Sequence, residues 1–128
     1  MDLNQVTIPC HDYEKSVAFY VRLGLRQIVD SPPRYARFET ESGTTLSIHQ
    51  VESSSVNHDV VVYFEVESVD ESVETLKCAG LEFEIEPVDQ SWLWREAYLR
   101  DPSGNMVCIY HAGQNRRYLP WRIEGGTV

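Results

Sequence analysis

The stretch that decides the fold is LNQVTIPCHDYEKSVAFYVRLGL, Leu3 to Leu25. Its first third alternates, with Val6 and Ile8 on one side and Gln5 and Thr7 on the other, the period of a strand that buries one face. The period then lengthens. Asp12 can accept from the free amides of a helix N-terminus, and Val17, Phe19, Tyr20 and Leu23 form a helical stripe. Gly24 supplies the left-handed residue that stops the helix. Strands are expected next at Leu25–Asp30, Tyr35–Thr40 and Thr44–Gln50, parted by the turn residues Ser31-Pro32-Pro33 and Glu41-Ser42-Gly43. The order is β-α-β-β-β.

After a Ser-rich joint at Glu52–Val56 that order runs again. Val60–Val66 reads as a strand, and Ser68 with Glu71 forms a capping box for a helix carrying Val69, Val73 and Leu76 and ending near Gly80. Strands at Leu81–Val88, Leu93–Arg100 and Asn105–His111 complete the set, with Asp101-Pro102-Ser103-Gly104 as the last turn. Sliding the chain on itself sets Val6, Ser16, Val17, Gly24 and Leu25 on Val62, Ser72, Val73, Gly80 and Leu81 at one offset. At a second offset Ser42-Gly43 falls on Ser103-Gly104 and Ile48 on Ile109, the difference being a small insertion around Asp89–Trp92. The pattern is that of an internal duplication, although helix-stop glycines and turn serines also coincide by chance.

The whole chain has 128 residues, enough for one core. Eleven Lys and Arg against twenty Asp and Glu leave a net charge of −9, which repels phosphate backbones and anionic lipid, so neither nucleic acid nor membrane is an expected partner. Cys10, Cys78 and Cys108 are too few and too widely spaced for a disulfide framework or a zinc knuckle, and a reducing, cytoplasmic setting is expected. The N-terminus lacks a basic region followed by an apolar stretch, and no apolar run nears the roughly 20 residues that span a bilayer.

Alternation sorts the strands into two faces. Val6, Ile8, Leu46, Ile48, Val62, Phe64, Val66, Val107 and Ile109 can pack beneath the helices. The opposite face carries Gln5, Thr7, Ser47, His49, Val61, Tyr63, Glu65, Cys108 and Tyr110, a mixture a plain solvent face does not need. If the sheet curls, this face lines a cavity.

The first module, Leu3-Asn4-Gln5-Val6-Thr7-Ile8 with Asp12, Ser16, Phe19-Tyr20 and Leu23-Gly24-Leu25, resembles the vicinal oxygen chelate superfamily of glyoxalase I, bleomycin-resistance proteins and extradiol dioxygenases. Asp101-Pro102-Ser103-Gly104-Asn105 before the final strand resembles it too, and the likeness covers about Leu3 to His111. It implies an α+β fold in which two β-α-β-β-β modules, about 3–50 and 59–111 within a domain 1–113, form a cupped mixed sheet with helices on the outer face. Residues 114–128 are left as a C-terminal tail. Metal-dependent members hold their ligands on the first, fourth, fifth and eighth strands, which correspond here to Gln5, Ser47, Val61 and Cys108. Val61 has no donor and Ser47 a weak neutral one, so no metal and no other cofactor is expected there. The alternative is a displaced site drawing on His49, Glu65 and Cys108.

Without a metal, His49 can serve as a general base, oriented by Glu65 or Tyr110, or can simply bond to a neighbouring strand. Cys108 is either a nucleophile with a lowered pKa or a small buried hydrophobe, while Cys10 and Cys78 read as packing residues. His11, His58 and His111 sit at element ends. Trp92 and Trp94, brought in by the insertion, can wall a planar or aliphatic ligand or pack against the core or a second subunit. Arg37 either reaches into the cavity toward an anionic group or pairs with Glu39 on its own strand. The tail residues Arg116, Arg117, Trp121 and Arg122 are a basic exception in an acidic chain, suited to lie across the partner in a homodimer or to remain loosely held.

The resemblance implies a glyoxalase/bleomycin-resistance-like small-molecule-binding protein, and two functions are open to it. One is a metal-independent lyase or isomerase using His49, Glu65, Cys108 or Tyr110. The other is a binding protein that sequesters a drug or metabolite without catalysis, with Gln5, Ser47, Val61, Tyr63, Trp92, Trp94 and Arg37 as the contact set. A metal-dependent lyase ranks third.

Overall fold

The computed structural model describes residues 1–52 and 59–123. Most of the Ser-rich joint, His58 and residues 124–128 lie outside the described residues. The elements run β1 (Gln5–Cys10), α1 (Tyr13–Leu23), β2 (Arg26–Ser31), β3 (Tyr35–Glu39), β4 (Thr45–Gln50), β5 (Val61–Glu65), α2 (Val69–Cys78), β6 (Ile85–Asp89), β7 (Arg95–Arg100) and β8 (Met106–His111), followed by a 3-10 turn at Gly113–Arg116. This is the expected α+β arrangement of two β-α-β-β-β modules. Hydrogen bonding closes within each module, so the strands form two four-stranded mixed sheets, ordered β1-β4-β3-β2 and β5-β8-β7-β6.

The registers carry the duplication further than the residue matches do. Thr7 lies opposite Ser47 as Tyr63 lies opposite Cys108, and Arg37 opposes Ser47 as Tyr98 opposes Cys108. Both outer hairpins are bulged, between Gln27 and Val29 and between Ile85 and Val88.

The helix ends follow their chemistry. Asp12 accepts from the Lys15 amide at 3.1 Å, and Gly24 stands at φ 110°, where a side chain would strain the turn. Ser68 accepts from the Glu71 amide at 3.3 Å, one half of the expected capping box. Strand β6 starts four residues later than expected. The Leu81 amide still donates to the Leu76 carbonyl at the end of α2, and ladder pairing begins with the Glu84 amide on the Tyr98 carbonyl. Strand β7 starts at Arg95 and not Leu93, because Gln90 to Trp94 close a turn in which Leu93 takes a φ of 70°.

One core serves both modules. Ile8, Tyr20, Phe38, Leu46 and Ile48 of the first pack with Leu76, Leu81, Leu99, Val107 and Ile109 of the second. Each such side chain taken out of water stabilises the fold by about 2 kcal/mol. The helices cover this apolar face, α1 against β3 and β4 and α2 against β6, β7 and β8. A buried polar knot ties the modules together. Asp101, in the turn before β8, accepts from the Tyr20 hydroxyl of α1 at 2.7 Å and from the Ser103 and Asn105 amides at 2.9 Å each. The Asn105 side chain donates to Asp101 and to the Pro9 carbonyl of β1, both at 2.8 Å, and the His11 amide donates to Ser103 Oγ at 3.0 Å. The Asp-Pro-Ser-Gly-Asn run is therefore a clamp between modules as well as a turn.

Candidate functional site

The helices occupy one face of each sheet, which leaves two concave faces of different character. On the first, Gln5 donates to Ser47 Oγ at 2.8 Å, Ser47 and Tyr35 share a hydroxyl hydrogen bond at 2.6 Å, and Arg37 Nε donates to the Tyr35 hydroxyl at 3.0 Å. Thr45 closes the network by donating its hydroxyl to the Gln5 side-chain oxygen Oε1. The bond from Ser47 holds the Tyr35 phenol below its usual pKa, against the opposing pull of burial and with help from Arg37. Arg37 is thus engaged with Tyr35 and not with Glu39, which lies 4.0 Å from Arg26 instead. His49 is exposed at the far end of β4, and among the described residues no hydrogen bond or ion pair links it to Glu65, Tyr110 or Cys108.

The second concave face is aromatic. Trp94 stacks on Tyr110 with centroids 4.7 Å apart and planes 27° apart, and Tyr63 meets both rings edge-on at 6.0 and 5.5 Å. Trp94 is pinned from behind by its indole N–H on the Asn115 carbonyl at 2.9 Å, and Val61 and Tyr98 pack into the same cluster with Cys108, Tyr110 and Ala112. Tyr63 is 45% exposed and Trp92 42%, so the wall has a free edge. Val88, opposite Glu96 on the neighbouring strand, is a further exposed apolar group.

Three titratable candidates gather on this sheet, but their surroundings differ. Glu65 Oε2 accepts from the Ala112 and Gly113 amides at 2.8 and 2.9 Å, with His111 3.8 Å and Arg116 3.7 Å away. Burial pulls its pKa up, yet those donors and cations outweigh it and hold the carboxyl below its usual value. Its work is to fasten the 3-10 turn. Cys108 is fully buried, and burial followed by the nearby Glu96 pushes its thiol up to about 12. Tyr110 is raised by burial first and Glu65 second. Cys10 is buried as expected of a packing residue, whereas Cys78 is exposed.

Glu96, which face-sorting of the first, fourth, fifth and last strands did not reach, sits in the middle of this face and is 1% exposed. Its carboxylate accepts from the Tyr98 hydroxyl at 2.8 Å and from the Trp92 indole N–H at 3.3 Å. The signal was available: in Arg95-Glu96-Ala97-Tyr98-Leu99 the small and apolar residues alternate with Glu96 and Tyr98, which must share the concave face. Tyr35 was legible in the same way on β3.

Where β1 and β5 approach, a cavity of about 390 Å3 is lined by Gln5 and Thr45 from one module and by Val61 and Tyr63 from the other. Val6, Leu46, Val62 and Phe64, from the helix-covered side of the two edge strands, line it as well. The family's metal positions do not suit an ion: Gln5 and Ser47 are neutral and bonded to one another, Val61 has no donor, and Cys108 is a buried thiol. The displaced alternative fares no better in geometry, since His49 lies on the other sheet and Glu65 is occupied. Among the described residues no His, Cys, Asp and Glu cluster is arranged to hold a metal. In the tail, Arg117 and Arg122 lie over the Tyr118 ring at 5.3 and 4.8 Å, while Trp121 is exposed.

Comparison with known proteins agrees with this architecture. The family model of the Glyoxalase/Bleomycin resistance protein/Dioxygenase superfamily matches residues 2–109. The Bacillus subtilis (strain 168) protein YraH, described as uncharacterized, is 30% identical over 125 residues, covering 86% of this chain and 98% of its own. A crystal structure of a glyoxalase/bleomycin resistance protein/dioxygenase from Nocardioides superposes with a TM-score of 0.73 at 26% identity, over 88% of this chain and 83% of that one. A bleomycin-binding protein complexed with bleomycin shares the fold with a TM-score of 0.70 at 18% identity, over 87% of this chain and 98% of its own.

Proposed function

The chain belongs to the Glyoxalase/Bleomycin resistance protein/Dioxygenase superfamily, and from that premise we propose that it binds and sequesters a small molecule on the aromatic concave face of its second sheet. The observation that carries this reading is the wall formed by Trp94 stacked on Tyr110 with Tyr63 edge-on to both. Such a wall stays in place without a ligand, because Trp94 is held by Asn115 and Tyr110 is buried, so little ordering cost falls on binding. A planar ligand laid against Tyr63 and Trp92 covers apolar surface, and Gln5 and Thr45, which line the junction cavity, offer it polar contacts, with Ser47 and Arg37 in the hydrogen-bond network behind Gln5. The shared fold of a protein crystallised with bleomycin supports the reading by likeness alone.

Catalysis draws less support. A general base at His49 would act far from Glu65 and Cys108 in the chain's topology, and a thiol raised to about 12 is a poor nucleophile at neutral pH. One observation favours a second, catalytic reading: the Tyr35 phenol, lowered by Ser47 and Arg37, is a metal-independent proton-transfer group on the first concave face. A thermal-shift ligand screen followed by turnover assays separates the two. Affinity that survives His49→Ala and falls with Trp92→Ala supports sequestration, whereas turnover abolished by Tyr35→Phe supports catalysis.

The protein is further proposed to act as a homodimer in a reducing, cytoplasmic setting, with neither nucleic acid nor membrane as a partner. Exposed Leu3 and Val60, just before β1 and β5, and Val6 of β1, with Trp121 in the tail, support the dimer. The unpaired Cys10, Cys78 and Cys108 support the compartment, and no helix among the described residues is long and apolar enough to cross a membrane. Removing residues 118–128 and measuring mass in solution tests the tail's part, and an unchanged dimer rejects it.

A further inference from the structure

We propose that Glu96 is the anionic floor of the aromatic wall and that the ligand carries an organic cation, an ammonium or guanidinium group joined to an aromatic ring. The inference deepens the binding reading above and rests on it.

Glu96 is 1% exposed and, among the described residues, has no Lys, Arg or His within ion-pair distance. Its two donors, the Tyr98 hydroxyl and the Trp92 indole, are neutral. A carboxylate offers about four acceptor positions, so two remain open. Its cross-strand neighbours on the same face are Tyr110 of β8 and Val88 of β6, neither of which brings charge. A buried carboxylate without a counter-ion is costly, and the cost falls away when a cation arrives. The surrounding rings favour the same guest, because the face of an aromatic ring attracts a cation. For the carboxylate alone they supply only the two neutral donors, the Tyr98 hydroxyl and the Trp92 indole N–H.

Access lies through Trp92. It stands on the Gln90–Trp94 turn, is 42% exposed, and bonds Glu96 at 3.3 Å, the longer of the two contacts. An entering ammonium can take the place of that indole N–H while the ligand's ring settles against Tyr63. The net charge of −9 raises the local concentration of cations in general, so the test must separate a specific site from that background.

Three probes of one shape do so: 2-naphthylmethylammonium, the neutral 2-naphthylmethanol and the anionic 2-naphthoate, titrated calorimetrically into the full chain. The cation is expected to bind about tenfold more tightly than the alcohol, and Glu96→Gln to abolish that preference by bringing the two affinities together. Circular dichroism establishes whether E96Q is folded. Should it not fold, Trp92→Phe provides the second measurement: with one neutral donor removed and an aromatic cover kept, the preference for the cation rises. Equal binding of ammonium and alcohol overturns the cation inference and leaves the aromatic-wall reading standing. A preference that persists in E96Q and vanishes at about 0.5 M salt assigns it to net charge and overturns the inference too, as does an unchanged ratio in W92F. If no probe binds, both readings fall.

Discussion

Replacing Asp101 by Asn changes one acceptor oxygen into a donor and removes a charge while keeping the side chain's shape. Oδ1 accepts from the Ser103 and Asn105 amides, and Oδ2 from the Tyr20 hydroxyl and the Asn105 side chain. The backbone amides cannot turn away, so the remaining carbonyl oxygen of the variant must stay with them. The new NH2 group then faces Tyr20 and Asn105. The Tyr20 hydroxyl can rotate and accept. The Asn105 amide cannot, because its other hydrogen is committed to the Pro9 carbonyl, and one buried N–H loses its partner at a cost of about 2 kcal/mol. The two bonds to backbone amides lose their charge assistance, about 1 kcal/mol more. D101N is therefore expected to destabilise the fold by about 3 kcal/mol and to lower Tm by about 10 °C. Urea denaturation with an unchanged m-value measures it. Tyr20→Phe, which only removes the hydroxyl, is expected to cost about 1 kcal/mol alone and to be non-additive with D101N. A loss below about 1 kcal/mol in D101N, or strict additivity with Y20F, refutes the view that this knot joins the modules.

Glu65 gives a pH signature. Its folded-state pKa is held below the ordinary 4.5, so its contribution is complete above that value and is lost as pH falls through the lower folded value. The Ala112 and Gly113 amide resonances should titrate with a midpoint below 4.5, and Glu65→Gln should abolish the titration; a midpoint above the ordinary value contradicts the assignment. The cysteines separate by exposure: iodoacetamide at neutral pH should label Cys78 in the folded chain and leave Cys10 and Cys108 untouched until denaturant is added. Rapid labelling of Cys108 under native conditions would restore it as a nucleophile. Trp94→Ala loses a stacked partner and a hydrogen bond to Asn115, and a stability loss of about 3 kcal/mol in thermal or urea unfolding is expected.

Much of the fold was legible because it depends on local periods. Val6 and Ile8 against Gln5 and Thr7, the Asp12 cap and the Gly24 stop are read from neighbouring residues, and the repeated order follows. The start of β6 was not legible, since it depends on Leu81 remaining bonded to the end of α2, and hydrophobicity at 81–88 does not reveal that. The site was legible in part. Alternation put Tyr63, Cys108 and Tyr110 on one face, but it could not say that His49 and Glu65 stand on different sheets, nor that Glu65 is consumed by two backbone amides. Glu96 depends on a contact across the Gln90–Trp94 turn, where Leu93 adopts a left-handed conformation. Alternation in Arg95–Leu99 gives its face, but not its burial, which such a turn supplies from outside the strand.

The most direct test of the account is the affinity of the best thermal-shift hit, measured by calorimetry on the wild-type chain, Trp94→Ala and His49→Ala. A ligand held on the second sheet's aromatic face should bind W94A about tenfold more weakly and H49A with unchanged affinity. Full affinity in W94A together with a loss in H49A would contradict it.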